Sequence, residues 1–332
     1  MYSDVSSPQC YSHFLIFIMI LTLFHRIDVE IIGINYLTMT EIKDLAEKHR
    51  MVSDMFKLPK SKEAWEPYRL TDEQVAHFHE EGYVSGIKML NEAQITVLRN
   101  DLEEILDPKH QAHELFYEFH SNESTDLDSV LFHSLGHWRI TEGFHDVLWN
   151  PAFVMAAHQL LDSKPVRFWH DQLFCKPAKH GGVVAWHQDY SYWTRTIAMQ
   201  HLTCWTGLDD ATVENGCLHY IPKSHKWGLL DAPELAGDMN GIMAYLTEEQ
   251  KAAFKPVPIE LKKGYATFHH PLMVHGSYKN ESNRSRRAFV LNVFADGTIS
   301  NTDDELLAGV PPIPKGNKME GKFFPLLFDA EI

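Results

Sequence analysis

After Lys164 the sequence is divided into short apolar runs, and this pattern limits the fold more than any other feature of the chain. Each run is rich in β-branched and aromatic residues, and Gly, Pro, Asn or Asp residues separate it from the next. Runs of this length and spacing are typical of strands in an all-β sandwich or barrel. The predicted strands are 166–175, 183–187, 202–208, 217–221, 257–261, 266–269 and 288–294.

The residues before this region have helical patterns instead. In the segment 70–86, Thr71 is a suitable N-cap, and Gln74 follows three residues later as in a capping box. Gly82 is a suitable residue to end that helix. A second amphipathic helix is predicted at 91–106 and a third at 150–161. The second has four apolar residues on one side: Ile95, Leu98, Leu102 and Ile105.

These patterns predict a mostly β domain with flanking helices. We expect residues 69–332 to form this domain and residues 39–68 to form a helix followed by a linker that contains two prolines. Residues 1–38 are interpreted as an N-terminal extension that is not part of the mature fold. Within it, residues 14–24 are strongly apolar but only about half the length of a membrane-spanning helix. A signal anchor through these residues is the alternative interpretation.

The charge and the cysteines restrict the partners and the compartment. A net charge of −15 argues against nucleic acid, which needs clustered Lys and Arg, and makes a membrane surface an unlikely partner. The expected partner is a small molecule. The four cysteines Cys10, Cys175, Cys204 and Cys217 form no CxxC pair, so we expect buried free thiols and a cytoplasmic location.

His187 and Asp189 form an HxD pair that could bind a metal. Residues i and i+2 of a strand point to the same face, so this pair directs an imidazole and a carboxylate to one point. Two histidines and one carboxylate are the ligand set that holds Fe(II) on one face and leaves the other open. His275 is the preferred third ligand because it follows an apolar segment and precedes Gly276-Ser277. His269 and His270 remain open, either as neighbours of a ligand or as packed histidines.

Four blocks in this order resemble the phytanoyl-CoA dioxygenase (PhyH) family of Fe(II)/2-oxoglutarate-dependent oxygenases. Together the blocks extend over about residues 69–300. They are LTDEQVAHFHEEGYV (70–84), WHQD (186–189) with the aromatic residues after it, ENGCL to IPKSH (214–225), and FHHPLMVHGS (268–277) with Arg286-Arg287.

The resemblance implies a double-stranded β-helix, a jelly-roll or cupin-like barrel, and it assigns site residues. It places the metal triad on His187, Asp189 and His275, with no catalytic residue beyond these ligands. It places the arginine for the distal carboxylate of 2-oxoglutarate on Arg286, for which Arg287 and Arg284 compete. Strand alternation allows only one of Arg286 and Arg287 to face the barrel interior. The remaining predicted contacts of the co-substrate are Ser277, Trp205 and Gln172.

The resemblance also implies a hydroxylation that needs Fe(II), 2-oxoglutarate and O₂ and releases succinate and CO₂, with ascorbate to maintain the iron. A carboxylate at Asp189 points to hydroxylation, because family members that halogenate have a small residue there. Tyr190, Tyr192 and Trp193 are the candidate substrate contacts. The alternatives are an acyl-CoA hydroxylase, a non-catalytic protein that binds 2-oxoglutarate or metal, and a cupin-like enzyme that does not use 2-oxoglutarate.

Overall fold

The computed structural model describes residues 43–107, 109–126 and 128–329. The described chain has six α-helices and fourteen β-strands. The helices are α1 Lys62–Trp65, α2 Asp72–Glu81, α3 Glu92–Ile105, α4 Glu142–Asp146, α5 Pro151–Leu160 and α6 Glu248–Ala253. The strands are β1 Tyr83–Lys88, β2 Glu118–His120, β3 Phe132–Leu135, β4 Val166–Lys176, β5 Val184–His187, β6 Thr196–Ile197, β7 His201–Gly207, β8 Leu218–Tyr220, β9 Val257–Ile259, β10 Tyr265–His269, β11 His275–Ser277, β12 Arg286–Ala295, β13 Ile299–Ser300 and β14 Leu326–Phe328.

Two antiparallel sheets form the centre of the fold. The large sheet has the order β1-β10-β7-β12-β4-β3-β2, and β14 also pairs with β4. The small sheet has the order β5-β11-β8-β9. Side chains of the two sheets meet between them, as where the Tyr220 hydroxyl contacts His269 Nδ1 at 2.9 Å. The mostly β fold with flanking helices and a jelly-roll architecture is confirmed, although the two sheets stay separate and do not close into one barrel.

The helices cover the outer face of the large sheet. Alternate residues of β12, namely Phe289, Leu291 and Val293, are fully buried in one apolar cluster with residues of α3, α4 and α5. The four apolar residues predicted for one side of α3 are all buried in the same cluster. Burial of such apolar area is the main stabilising contribution to the fold. The opposite, inner face of the large sheet carries polar side chains such as Thr203 and Asn292 beside an apolar cluster that includes Trp205 and Val290.

The predicted helix signals act as expected. Thr71 and Gln74 form a reciprocal capping box at the start of α2, and Gly82 ends this helix in a left-handed conformation with φ of +88°. Asn91 and Gln94 form a second capping box at α3. Each such cap stabilises its helix by about 1 kcal/mol. The third predicted helix is present as α5.

All seven predicted strands are present, as β4, β5, β7, β8, β9, β10 and β12. The sequence reasoning did not find β11, because three residues are too few to form an apolar run. It did not find β1, which follows Gly82 directly and pairs with β10. In the described part of 39–68, the structure has short helical segments at Leu45–Glu47, at α1 and at Glu66–Tyr68. An ion pair of 2.7 Å between Asp44 and Arg139 joins this segment to the domain.

Three of the four cysteines lie in the described ranges, and Cys175, Cys204 and Cys217 are free and buried as expected. Cys10 lies outside those ranges. Among the described residues, we find no helix with the length and apolar character needed to cross a membrane. The apolar segment 14–24, which carries the alternative of a membrane anchor, lies outside the described residues.

Candidate metal centre and co-substrate site

Strand pairing within the small sheet brings the first candidate ligands together. His187 is the last residue of β5, His275 is the first residue of β11, and the two are direct partners in the antiparallel register. Cross-strand partners on one face have closely spaced side chains, and the two imidazole centroids are 4.2 Å apart. Asp189 begins the 3₁₀ turn that follows β5. The site therefore depends on one short ladder and the turn next to it.

The three side chains are arranged to share a metal ion. Asp189 Oδ1 lies 3.3 Å from His187 Nε2 and 3.5 Å from His275 Nε2, and the three candidate ligand atoms lie within 4.8 Å of one another. His187 Nδ1 contacts Ala185 O at 2.7 Å, and His275 Nδ1 contacts Met273 O at 2.9 Å. Nδ1 must donate to a carbonyl oxygen, so each Nε2 is an acceptor directed at the centre. This donor set and tautomer suit a divalent transition metal.

The second oxygen of Asp189 is held by two protein donors. Thr203 Oγ1 donates to Asp189 Oδ2 at 2.6 Å, and His269 Nε2 lies 3.0 Å from the same oxygen. Burial raises the pKa of the Asp189 carboxyl, but His275, His187 and His269 outweigh burial and hold this pKa well below its usual range. Asp189 is therefore an ionised ligand with Oδ1 left for the metal.

The structure also separates the two histidines that sequence reasoning left open. His269 contacts Asp189 and has Tyr220 on its other ring nitrogen. His270 Nδ1 accepts from the Leu272 backbone at 3.1 Å, and its ring packs against His225. His269 is thus a neighbour of a candidate ligand, and His270 has a packing role.

Sequence reasoning missed Thr203 and its neighbour Asn292, whose side-chain oxygen lies 2.9 Å from Thr203 Oγ1. A signal for Thr203 was available, because alternation along the predicted strand places it on the same face as Trp205. No such signal existed for Asn292. Its relevance comes from the pairing of β12 with β7, where it is the direct partner of Thr203.

Arg286 lies in the same cavity with much of its hydrogen-bonding capacity unused. It is 1% exposed, and its Nη2 donates to Gly216 O at 3.1 Å and to Ser277 Oγ at 3.3 Å. Its Nε and Nη1 have no partner among the described residues. Burial lowers the pKa of Arg286 to about 10, so the guanidinium is still charged at neutral pH. A buried cation with two free N–H donors fits a carboxylate that the protein does not supply.

The two other candidate arginines, Arg287 and Arg284, lie outside the cavity. Arg287 points to the outer face of β12 and binds Asp209, with Nε at 2.8 Å from Oδ2. It also contacts Glu103 at 3.2 Å. Arg284 is exposed and lies in the loop before β12. Of the three, Arg286 has the position and the free donors that the predicted co-substrate contact requires.

One cavity of about 360 Å³ joins these groups. Such a volume is in the range of small-molecule sites. The cavity wall contains the predicted residues His187, Asp189, His275, Arg286, Ser277, Trp205, Gln172, Tyr192 and Trp193. Tyr190 does not contribute to this wall, and its hydroxyl donates to Thr196 O at 2.5 Å. Nine of the ten predicted site residues therefore lie on this wall, and the geometry gives no support for Tyr190 as a substrate contact.

Comparison with known proteins agrees with this arrangement. The family model for phytanoyl-CoA dioxygenase (PhyH) matches residues 78–288, which is more than half of the chain. A phytanoyl-CoA dioxygenase of Arabidopsis thaliana is 28% identical over 254 residues, covering 68% of this chain and 88% of the relative. A methylphosphonate hydroxylase of Gimesia maris is 27% identical over 237 residues, covering 69% of this chain and 84% of the relative.

The fold is shared with solved structures of non-haem enzymes. The 2-oxoglutarate-dependent carbocyclase SnoK of nogalamycin biosynthesis superposes with a TM-score of 0.64 at 22% identity, covering 82% of this chain and 100% of SnoK. The epimerase SnoN, in complex with Fe³⁺ and 2-oxoglutarate, has a TM-score of 0.64 at 22% identity over 77% of this chain and 98% of SnoN. At this identity the similarity establishes the fold. Together with the family match, it confirms the resemblance seen in the sequence: the chain belongs to the phytanoyl-CoA dioxygenase (PhyH) family of non-haem iron- and 2-oxoglutarate-dependent dioxygenases.

Proposed function

We propose that this protein hydroxylates a small organic substrate, with His187, Asp189 and His275 as the ligands of Fe(II) and Arg286 as the anchor of 2-oxoglutarate. One observation carries the proposal. The three candidate ligand atoms converge in the same cavity in which Arg286 presents two N–H groups without a protein partner. The carboxylate at Asp189 favours hydroxylation over halogenation, as the family resemblance implies.

The protein contributes orientation and charge to this reaction. Ala185 O and Met273 O fix the two imidazoles, and Thr203 with His269 fixes the carboxylate. Three protein ligands on one face leave positions for a co-substrate and for O₂. Iron held there would supply the activation of O₂ that oxidises a substrate C–H bond while 2-oxoglutarate is converted to succinate and CO₂. No protein acid or base is needed for that step.

The part of the cavity away from Arg286 is the proposed substrate compartment. Trp169, Tyr192 and Trp193 line it together with Leu306 and Leu307. These side chains offer apolar and aromatic area, which orients small ligands by contact. A compact organic molecule with an apolar part fits this wall, with Tyr192 and Trp193 as its proposed contacts.

An acyl-CoA substrate is the second candidate, because relatives of this chain carry the name phytanoyl-CoA dioxygenase. The charges at the cavity do not favour it. Glu118 and Glu123 lie on the wall, and the net charge of the chain is −15. These carboxylates would repel the phosphates of coenzyme A if the phosphates lay near them. We therefore place a small molecule without phosphate groups before the CoA ester.

A cytoplasmic location belongs to this proposal as well. Cys175, Cys204 and Cys217 are free thiols, which persist in a reducing compartment. Such a compartment would also help to keep the iron reduced, and added ascorbate would serve the same purpose in an assay. Detection of the tagged protein in fractionated cells tests the location.

The decisive experiment measures succinate formed from 2-oxoglutarate with Fe(II), ascorbate, O₂ and a panel of substrates that includes acyl-CoA esters. We expect substrate-dependent succinate from the natural protein. In His187→Ala and Asp189→Ala we expect the rate of succinate formation to fall at least about 1000-fold, as is typical when a reactive centre is removed. His79→Ala, which removes a half-exposed surface histidine, is the matched control and should keep full activity.

Two results would contradict the proposal. Binding of 2-oxoglutarate without succinate formation across the whole panel would favour a non-catalytic binding protein. Turnover that persists unchanged in Arg286→Met and without 2-oxoglutarate would favour a cupin-like metal enzyme that does not use this co-substrate.

A further inference from the structure

A second buried basic side chain lies behind Arg286. Lys176 ends β4 and is the direct cross-strand partner of Arg286 on β12. Lys176 is 0% exposed. Lysine is almost never fully buried unless it is paired. The backbone of the next loop closes over its aliphatic part, since a Cβ on Gly181 would come within 2.6 Å of Lys176 Cβ. The position of this side chain therefore calls for an explanation.

The contacts of Lys176 are all with neutral oxygens. Its Nζ donates to Ser277 Oγ at 2.5 Å, to Tyr278 O at 2.6 Å and to Ser277 O at 3.2 Å. Three acceptors match the three N–H donors of an ammonium group. Ser277 Oγ also accepts from Arg286 Nη2 and donates to Gly216 O. Lys176 and Arg286 are thus joined through a single hydroxyl group.

No described carboxylate pairs with either cation. The nearby thiols do not supply an anion, because burial raises the pKa of Cys217 to about 11 and that of Cys175 to about 12. Asp209 attracts Arg286 weakly but is bound to Arg287 and Arg99 on the outer face of the sheet. Burial, and then the charge of Arg286, hold the pKa of Lys176 well below its usual range.

Two neighbouring basic groups without an anion are difficult to charge together in a dry interior, since like charges repel more strongly there than in water. If position 176 had only a structural role, an uncharged side chain could fill it. Binding of a carboxylate at the free Nε and Nη1 of Arg286 would offset the repulsion and return Lys176 toward its charged form. The unfavourable electrostatics of the free protein therefore favour a 2-oxo acid that carries a second, distal carboxylate.

We propose that Lys176 is a positioning residue of the co-substrate site, acting through Ser277 to make the Arg286 compartment select a dicarboxylic 2-oxo acid over a monocarboxylic one. This inference rests on the proposed function, because it assumes that 2-oxoglutarate binds in this cavity. It assigns Lys176 no contact with the reacting atoms. Its effect is confined to the distal carboxylate.

The test compares the binding of two ligands to the full chain loaded with Fe(II) in the absence of O₂, by isothermal titration calorimetry. The ligands are 2-oxoglutarate and 2-oxopentanoate, in which a methyl group replaces the distal carboxylate. For Lys176→Met, we expect the Kd of 2-oxoglutarate to rise about tenfold, while the Kd of 2-oxopentanoate changes less than about twofold. Lys176→Gln should behave like Lys176→Met, because the amide also lacks the charge.

Lys279→Met is the matched control, since Lys279 is half-exposed and pairs with Asp126 at the surface. It should bind both ligands as the natural protein does. Circular dichroism checks that each variant is folded. Unchanged 2-oxoglutarate binding in Lys176→Met would overturn the proposal. Equal weakening of both ligands, or recovery in Lys176→Gln, would also overturn it, since either result assigns Lys176 a structural role only.

A second variant tests the proposal if the Lys176 variants do not fold. Arg286→Met retains Lys176, and we expect it to keep a preference for 2-oxoglutarate over 2-oxopentanoate of at least about threefold. Loss of all preference in Arg286→Met would show that Lys176 contributes nothing. Failure of the natural protein to bind 2-oxoglutarate would instead contradict the proposed function, so the two failures are distinguishable.

Discussion

The two faces of the large sheet treat the same residue type in opposite ways. On the outer face, Arg287 is bound by Asp209 and Glu103 and ties β12 to the loop after β7 and to α3. On the inner face, Arg286 is fully buried beside Lys176 and lacks a carboxylate among the described residues. The two arginines are consecutive, and strand alternation alone separates them.

This difference teaches how to distinguish a structural charge from a functional one. A charge whose partners come from the same chain is complete in the folded protein and contributes to stability. A buried charge with free donors is incomplete until a ligand arrives. The comparison therefore predicts that outer-face changes alter the free energy of unfolding, whereas inner-face changes alter ligand binding.

Arg286→Met is expected to have the largest effect. Loss of two charge-assisted hydrogen bonds should raise the Kd of 2-oxoglutarate at least 100-fold, or about 3 kcal/mol. The unfolding free energy without ligand should fall little, because no ion pair is broken. Calorimetric titration and urea unfolding measure the two quantities. Arg287→Met is the control that should leave the Kd unchanged, and a similar loss of affinity in both variants would refute the comparison.

Asp209→Asn should produce the opposite pattern. The Asp209 carboxylate forms ion pairs with Arg99 and Arg287. Loss of its charge should lower the unfolding free energy by about 2 kcal/mol without changing 2-oxoglutarate affinity. Burial raises the pKa of Asp209, but the contacts with Arg287 and Arg99 outweigh burial and lower it.

The sign of the pH dependence follows from this lowered pKa. The stabilisation by Asp209 is fully present above the unfolded-state pKa of about 3.9, and it is lost as the pH falls through the lower pKa of the folded state. The difference in unfolding free energy between the natural protein and Asp209→Asn should therefore be constant near neutral pH and shrink below about pH 3.9. A difference that grows on acidification would contradict this assignment.

Thr203→Val tests the inner face near the metal ligands. The variant keeps the shape of the side chain but removes the hydroxyl that donates to Asp189. We expect Fe(II) to bind about tenfold more weakly, as is typical when a group that hydrogen-bonds a metal ligand is removed. Competition with a chelator measures this affinity. Thr206→Val on the same strand is the control, because Thr206 is on the opposite face, where its hydroxyl has Cys204 Sγ as a neighbour at 3.7 Å. Equal affinity in the two variants would remove the proposed role of Thr203.

Thr71→Ala should have the smallest effect and should be confined to stability. It removes one half of the capping box of α2 and should lower the unfolding free energy by about 1 kcal/mol. Thr96→Ala, in the exposed middle of α3, is the control and should be neutral or slightly stabilising. Neither variant should change the binding of Fe(II) or 2-oxoglutarate, and a change in either would extend the functional region beyond the inner face.

Much of the difference between the outer and inner faces of the large sheet could be predicted from the sequence. The seven apolar runs predicted as strands after Lys164 are strands in the structure, because runs of this type are buried in sheets. Strand alternation predicts that only one of Arg286 and Arg287 faces the interior, and the family resemblance assigned that position to Arg286. The ordered blocks indicated the family, and with it the convergence of His187, Asp189 and His275.

Other features depend on which strands become neighbours, and single-chain patterns do not contain that information. Lys176 matters because β4 pairs with β12, and Asn292 matters because β12 also pairs with β7. Tyr190 looked equivalent to Tyr192 in the sequence, but in the 3₁₀ turn after β5 the Tyr190 hydroxyl donates to Thr196 O, whereas Tyr192 lines the cavity. The contact of Asp44 with Arg139, which joins the segment 43–68 to the domain, likewise depends on tertiary structure.

The pairing of His187 with His275 has a consequence for how the protein matures in a cell. The two imidazoles come from distant parts of the chain, so the proposed metal site cannot exist until β5 and β11 have paired. Pairings between such distant segments form slowly, because the chain loses loop-closure entropy before the new contacts compensate for that loss. A metal that binds only the paired state would favour completed chains by mass action. Iron supply during synthesis would then influence the yield of folded protein as well as its activity.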